Sequence, residues 1–457
     1  MIPVTPILKV PCPIMKKNFR ILKVCSANSN EIEEYYRNNN FEQLDYEEQI
    51  KQFQAANIIL PGSWSDCMEK LGNECTDVLV NATSMQQQWC MAKGLDIDFS
   101  KKDWMYRILR EHISDYKPEI LFFYDSVFTW FSERQRKELR DDFPFLKFIT
   151  GLWGDELSGH PSYSKAFANA DLVFTSTALY RDMFTTAGIP AHVLGNCFDH
   201  FVASVESKPG ESRDSHHLAF VGSTGFGCDQ HRQRYLNLLA MMQRTDLKAW
   251  THERNLKQRT INARSPASMV KTPMKWIGKR SLNLLSTHQL ETMKEHRLMN
   301  WKIAKYIDET ITIRNGRSIR GEYFFDKQKI SELFPDRCRP FLECASDYFE
   351  VLQQSKYVFN AHRDELADGP NIRVFEATGM GSCLITDRGN EMKEFFVPDK
   401  ELVTYDTVDE AIEKIEYLDC HEDERAEIAR AGQKRTLTDH TIVNRCEKIH
   451  EIVSGLI

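Results

Sequence analysis

No apolar run in this chain approaches the ~20 residues that a bilayer-spanning helix needs, so any membrane role would be peripheral. Its 12 cysteines stand singly between Cys12 and Cys446, and no C-x-x-C pair occurs. Zinc ribbons and thioredoxin-type redox sites therefore lack support. Positive charge is not in excess either: 59 Lys and Arg against 66 Asp and Glu leave a net charge of −7. A general nucleic-acid binder would usually be basic, and no nucleic-acid partner is expected. The opening stretch MIPVTPILKVPCPIMKKNFR is broken by prolines and has no long apolar core, so no secretory signal is expected. The thiols are then expected to be reduced, in a cytoplasmic protein. What is present is ordinary globular composition over 457 residues, 42% hydrophobic and 27% charged, enough chain for two or three domains.

Strand-like and helix-like segments alternate. KPEILFFYDS reads as a strand, FTWFSERQRKELRDDF as a helix, and PFLKFITGLWGDE as a strand running into a loop. DLVFTST is a strand and ALYRDMFTTAG a helix with a glycine end. Such alternation, with buried-type apolar strands, predicts an α/β fold with parallel sheets and helices on both faces. The polar stretch SVESKPGESRDSHH (204–217) reads as a linker. The alternation restarts at LAFVGS and, after an irregular part, resumes with KYVFNAH, NIRVFEATGMG, SCLITD and ELVTY. The expected organisation is a disordered leader at 1–18, a first Rossmann-like domain at 19–205 and a second at 206–435. The second carries an irregular basic insertion at about 250–320, and a C-terminal helix at 436–457 is a candidate to pack back on the first domain.

In open α/β sheets ligands bind at the carboxyl ends of the strands. GSTGFG follows the strand LAFV and precedes a helix. Gly222 and Ser223 there either approach a phosphate or form a plain tight turn. Just beyond, His231, Arg232 and Arg234 either neutralise a diphosphate or lie in a solvated first helical turn. Asp368 and Gly369 close the strand-end loop HRDELADG, and Asn371 begins the next helix. Arg373 and Glu376 are three apart and share one face of it. A helix N-terminus with Arg373 suits a diphosphate. A carboxylate one turn further in suits the two hydroxyls of a ribose. The alternative is an ordinary helix-surface pair worth a few tenths of a kcal/mol. Asp155, after the Gly-Trp-Gly turn, and Asp125, in FFYDS, have the same strand-end placement, with Trp153 either walling a cleft or buried. The segment 252–280 holds eight Lys or Arg and one Glu around SMVKTPMKWIGKR. It reads as a solvated loop or as a surface for an anionic acceptor or the inner face of a membrane.

PNIRVFEATGMGSCLITD followed by NEMKEFFVPDKELVTYDTVDEAIEKIEYL resembles the C-terminal domain of CgeB-like (spore-maturation protein-like) glycosyltransferases, of the group 1 or family 4-like kind. The resemblance is best over about 340–435, fair over about 40–240 and poor over about 245–330. It implies a GT-B fold, two Rossmann-like domains facing a central cleft, with a nucleotide-diphosphate sugar as donor held mainly by the second domain. Glu376 matches the second acid of the family's E-x7-E motif, which holds the nucleotide ribose. Asp368 takes the place of the first, so this chain has D-x7-E and a donor-sugar contact one methylene shorter. The resemblance further implies transfer with retention and without a bound metal or cofactor, to a glycan, lipid-linked or protein acceptor in surface polysaccharide or glycoconjugate synthesis. Arg373, Arg234 and helix N-termini would supply the positive charge at the leaving diphosphate. Were the reaction inverting, Asp155 would be the base. A nucleotide-sugar epimerase or an inactive GT-B binding scaffold are the alternatives.

Overall fold

The computed structural model describes residues 18–27, 29–38, 44–56, 58–124, 126–154, 166–203, 215–226, 231–251, 253, 328–342, 345–362 and 369–457. The leader up to residue 17, nearly all of the basic insertion, and the candidates Asp125, Asp155 and Asp368 lie outside the described residues. The first half forms β1 (Arg20–Cys25), β2 (Glu74–Leu79), β3 (Ile120–Tyr124), β4 (Phe148–Trp153), β5 (Leu172–Thr175) and β6 (Ala191–Val193). The second forms β7 (His216–Val221), β8 (Lys248–Thr251), β9 (Cys338–Pro340), β10 (Ser355–Asn360), β11 (Cys383–Asp387) and β12 (Val403–Tyr405). These make two six-stranded sheets, ordered β2-β1-β3-β4-β5-β6 and β12-β11-β10-β7-β8-β9. Every described pairing between them is parallel.

The strands are parallel because they can be buried on both faces. In β3 the run Ile-Leu-Phe-Phe is fully buried, and in β10 so is Tyr357 to Asn360. One face of the second sheet packs into a core containing Tyr235, Leu238, Tyr357 and Phe359, the other into a core containing Phe349, Val358, Val374 and Phe375. Helical connections cover both faces, as parallel strands require. The expected α/β class holds. Of the second sheet's strands, β8 and β9 have no counterpart in the sequence reading, and β9 is the shorter. It is three residues long, Cys-Arg-Pro, half-buried to exposed, and sits at the sheet edge where proline is tolerated.

The order of the second sheet places its ligand crevice. From β7 the chain moves outward through β8 and β9; from β10 it moves the other way through β11 and β12. The topological switch point therefore lies between β7 and β10, and a crevice opens outside their carboxyl ends.

The helix Glu422–Asp439 packs on the helix Ile372–Gly379 and against the turn before β12, where Gly432 has no room for a side chain: a Cβ there would sit 2.1 Å from the Glu401 carbonyl oxygen. The chain turns at His440, and Thr441 restarts a helix through a capping box with Asn444. That last helix, Ile442–Leu456, lies on the first domain. Ile442, Cys446, Ile449 and Val453, spaced to share one stripe, bury against Trp64, Cys67, Met68 and Phe122. Among the described residues no helix is long and apolar enough to cross a membrane.

Candidate functional site

The helix Ile372–Gly379 starts beside the switch point. Asn371 is its N-cap, with extended backbone (φ −73°, ψ 171°), but its side chain does not cap. It exchanges hydrogen bonds with Asn360 at the end of β10: Asn371 Nδ2–H donates to Asn360 Oδ1 at 3.2 Å, and Asn360 Nδ2–H to Asn371 Oδ1 at 3.3 Å. The Asn371 backbone N–H donates to His362 Nε2 at 3.1 Å. His362 must then carry its proton on Nδ1, which faces Asp387 Oδ1 at 2.5 Å. Asp387, at the end of β11, also accepts the His362 backbone N–H at 3.0 and 3.1 Å. Burial pushes the Asp387 carboxyl up, but its interactions with His362, the ring Nδ1–H and backbone N–H hydrogen bonds among them, outweigh that and hold it below the usual range. The ends of β10 and β11 and the start of the helix are thus one hydrogen-bonded unit. Sequence reasoning placed His362 and Asp387 only in strand-end loops; a polar residue closing an apolar strand was the available signal.

Arg373 and Glu376 are not a surface pair. Their side chains are only 14% and 12% exposed, and Arg373 Nη1 lies 2.9 Å from Glu376 Oε2. Tyr348, on the helix Ala345–Gln353, donates its hydroxyl to the same Oε2, and its ring lies 4.5 Å beneath the Arg373 guanidinium. Both bonds fall on Oε2, and Oε1 has no hydrogen-bond partner among the described residues. Burial raises the Glu376 carboxyl above its usual range although Arg373 pulls the other way, and burial lowers Arg373. Sequence reasoning missed Tyr348.

The loop after β7 comes to the same place. A Cβ built on Gly222 would lie 3.8 Å from Arg373 Nη2, and its φ of +150° favours glycine. Gly225, at φ +82°, lets the loop fold onto His231, which a Cβ would strike at 2.6 Å. Ser223 Oγ accepts the Gly225 N–H at 3.3 Å, and Thr224 Oγ1 donates to Glu253 at 3.1 Å. Arg234 Nε donates to the Ala361 carbonyl at 2.8 Å, just beyond β10. Gly222 thus lies beside the Arg373–Glu376 pair, and Arg234 and Asn371 are both bonded to the end of β10 next to it. Gly369 faces elsewhere: a Cβ on it would come within 2.5 Å of Thr177 Cγ2 in the first domain. Trp153 is a core residue, 4% exposed and packed edge-on against Phe167.

Between the domains a cavity of about 50 Å³ is lined by Leu60, Tyr124, Leu194, Phe349, Ile372 and Glu376, among others. It has room for a few water molecules.

Residues 320–451 match a family model described as glycosyl transferase-like. The comparison with curated proteins returned no match. Among solved structures the chain is similar to sucrose-phosphate synthase from Thermosynechococcus elongatus, at 8% identity and a TM-score of 0.52 over 96% of this chain and 99% of that one. It is also similar to the Anabaena protein HepE in complex with UDP-glucose, at 11% identity and a TM-score of 0.50 over 96% of this chain and 100% of that one. The fold is thus GT-B, two Rossmann-like domains facing each other.

Proposed function

We propose that the protein is a glycosyltransferase of the CgeB-like kind, moving a sugar from a nucleoside diphosphate donor to a hydroxyl of a glycan, lipid-linked or protein acceptor. The observation that carries this reading is the buried Arg373–Glu376 pair at the β7/β10 switch point, with Glu376 Oε1 unengaged among the described residues. That oxygen can accept a ribose hydroxyl, while Arg373, the Gly222 loop and Arg234 offer positive charge and backbone to the diphosphate. In the reaction the bond from the anomeric carbon to the diphosphate oxygen breaks, and a bond from that carbon to the acceptor oxygen forms. Positive charge held near the leaving group stabilises the negative charge that develops there, with no metal or further cofactor required. In the retaining course the departing phosphate oxygen takes the acceptor proton; in an inverting course Asp155 is the base. Asp368 is assigned to the donor sugar, and the segment 252–280 to an anionic or membrane-borne acceptor at the cytoplasmic face. The UDP-glucose bound by the structurally similar HepE makes uridine diphosphate donors the first to try.

Calorimetric titration of the purified chain with UDP, GDP and UDP-glucose tests the reading. Binding of at least one, weakened about tenfold or more in Glu376→Gln, is expected, since hydrogen bonds to a charged group are the stronger kind. A wild-type chain that binds none of them, or a Gln variant that binds as well as wild type, would sink it.

A further inference from the structure

One carboxylate of the second domain completes a helix of the first. Glu391, four residues beyond the end of β11, accepts the Ala178 N–H at 3.1 and 2.9 Å through its two oxygens, and the Leu179 N–H at 3.3 Å. These are the first two amides of the helix Ala178–Thr186. The third, Tyr180 N–H, is taken by the helix's own N-cap, Thr177, at 3.3 Å. Amides at a helix start have no partner within the helix and favour a negative charge. The cap is therefore divided between the domains.

The same contact grips the approach to the candidate site. A Cβ on Gly369 would lie 2.5 Å from Thr177 Cγ2 and 3.4 Å from Glu391 Oε2, so Gly369 is wedged between them. Asn196 of the first domain donates to the Pro370 carbonyl at 3.1 Å. Gly369 and Pro370 lead directly into Asn371 and the helix that bears Arg373 and Glu376.

We propose that Glu391 is a positioning residue for the donor site: its bridge to the opposite domain holds the Gly369–Pro370 turn, and with it the entrance of the site helix, in the closed arrangement. This rests on the donor-site reading above. A nucleotide sugar enters when the domains part and Glu391 leaves the Ala178 and Leu179 amides; closure over the donor restores the bridge. The bridge biases a two-state equilibrium toward the closed form, which is the form with the complete site.

The test uses the full chain, with UDP-glucose as probe, in wild type, Glu391→Ala and the milder Glu391→Gln, which keeps one acceptor oxygen without the charge. Small-angle scattering should give Glu391→Ala a larger unliganded radius of gyration than wild type, returning to the wild-type value with saturating UDP-glucose. Its Kd for UDP-glucose should rise about tenfold, the factor by which the competent population falls, with Gln between the two. An unliganded radius equal to that of wild type, or an unchanged Kd at equal folding, overturns the proposal. If wild type binds no nucleotide, the donor reading fails on its own, and the unliganded scattering still decides whether Glu391 holds the domains together. Should the Ala variant not fold, the same comparison on the Gln variant decides.

Discussion

Replacing Glu376 with alanine removes the partner of a guanidinium that is only 14% exposed and leaves the Tyr348 hydroxyl without its acceptor. Breaking a fully buried ion pair costs about 3–5 kcal/mol, because the remaining charge is stranded in a poor solvent. Water still reaches the edge of this pair, so about 2–3 kcal/mol is expected for Glu376→Ala. Urea unfolding should show it as a lower midpoint at unchanged slope for the transition of the second domain. The double variant Arg373→Met/Glu376→Leu should recover most of that loss, since apolar side chains of similar size need no partner and only the Tyr348 hydroxyl stays without its acceptor. It should nonetheless bind no nucleoside diphosphate. A loss below about 0.5 kcal/mol in the single variant would mean an exposed helix pair of ordinary strength. A double variant no better than the single would equally refute the stranded-charge argument.

Two further outcomes follow from packing and protonation. His440 is pushed down to about 4 by burial, with the Arg445 charge adding to it and the bond to the Phe395 carbonyl opposing. The neutral ring donates Nε2–H to that carbonyl at 2.9 Å and accepts at Nδ1 from Arg445 at 3.2 Å. The unfolded chain thus binds the proton first. Stability from this group is complete above pH 6.5 and is lost as pH falls toward about 4, by roughly 3 kcal/mol in all. In denaturation at pH 7.5, 6 and 5, His440→Phe should show a shallower loss, and an unchanged slope would count against the assignment. Gly432→Ala would ordinarily help a helix by about 1 kcal/mol, but the new Cβ meets the Glu401 carbonyl at 2.1 Å. A net loss of about 2 kcal/mol or more is expected. A raised melting temperature would show that the helix can move away.

The parts of the fold legible in the sequence were those written in local pattern. Apolar strands such as Ile120–Tyr124 and Cys383–Asp387, each followed by a helix, announced the two parallel sheets, whereas the GT-B arrangement came only from the resemblance of the C-terminal part to CgeB-like glycosyltransferases. The three-residue β9 carries no such pattern, because an edge strand closes on backbone pairing rather than side-chain burial. The site divides the same way. Arg373 and Glu376 show themselves through helical spacing, since both groups lie on one turn. Tyr348, 28 residues away, and Glu391, 213 residues from Ala178, do not, because only the folded chain brings them to their partners. Gly369 illustrates the limit: a strand-end glycine suggests room for a ligand, and only its neighbours reveal that the room is taken by Thr177.

The helix Ile442–Leu456 has a consequence for the order in which the protein can be made. It covers Trp64, Cys67, Met68 and Phe122, which belong to the first domain, yet it is translated only after the whole of the second. During synthesis the first domain leaves the ribosome with that apolar side bare, and it stays bare for the more than 200 residues between β6 and this helix. At about 5–20 residues per second the interval lasts on the order of 10–50 s. The first domain is in that sense unfinished until the last helix docks, and the nascent chain is most exposed to aggregation or chaperone capture on the face that the finished protein hides.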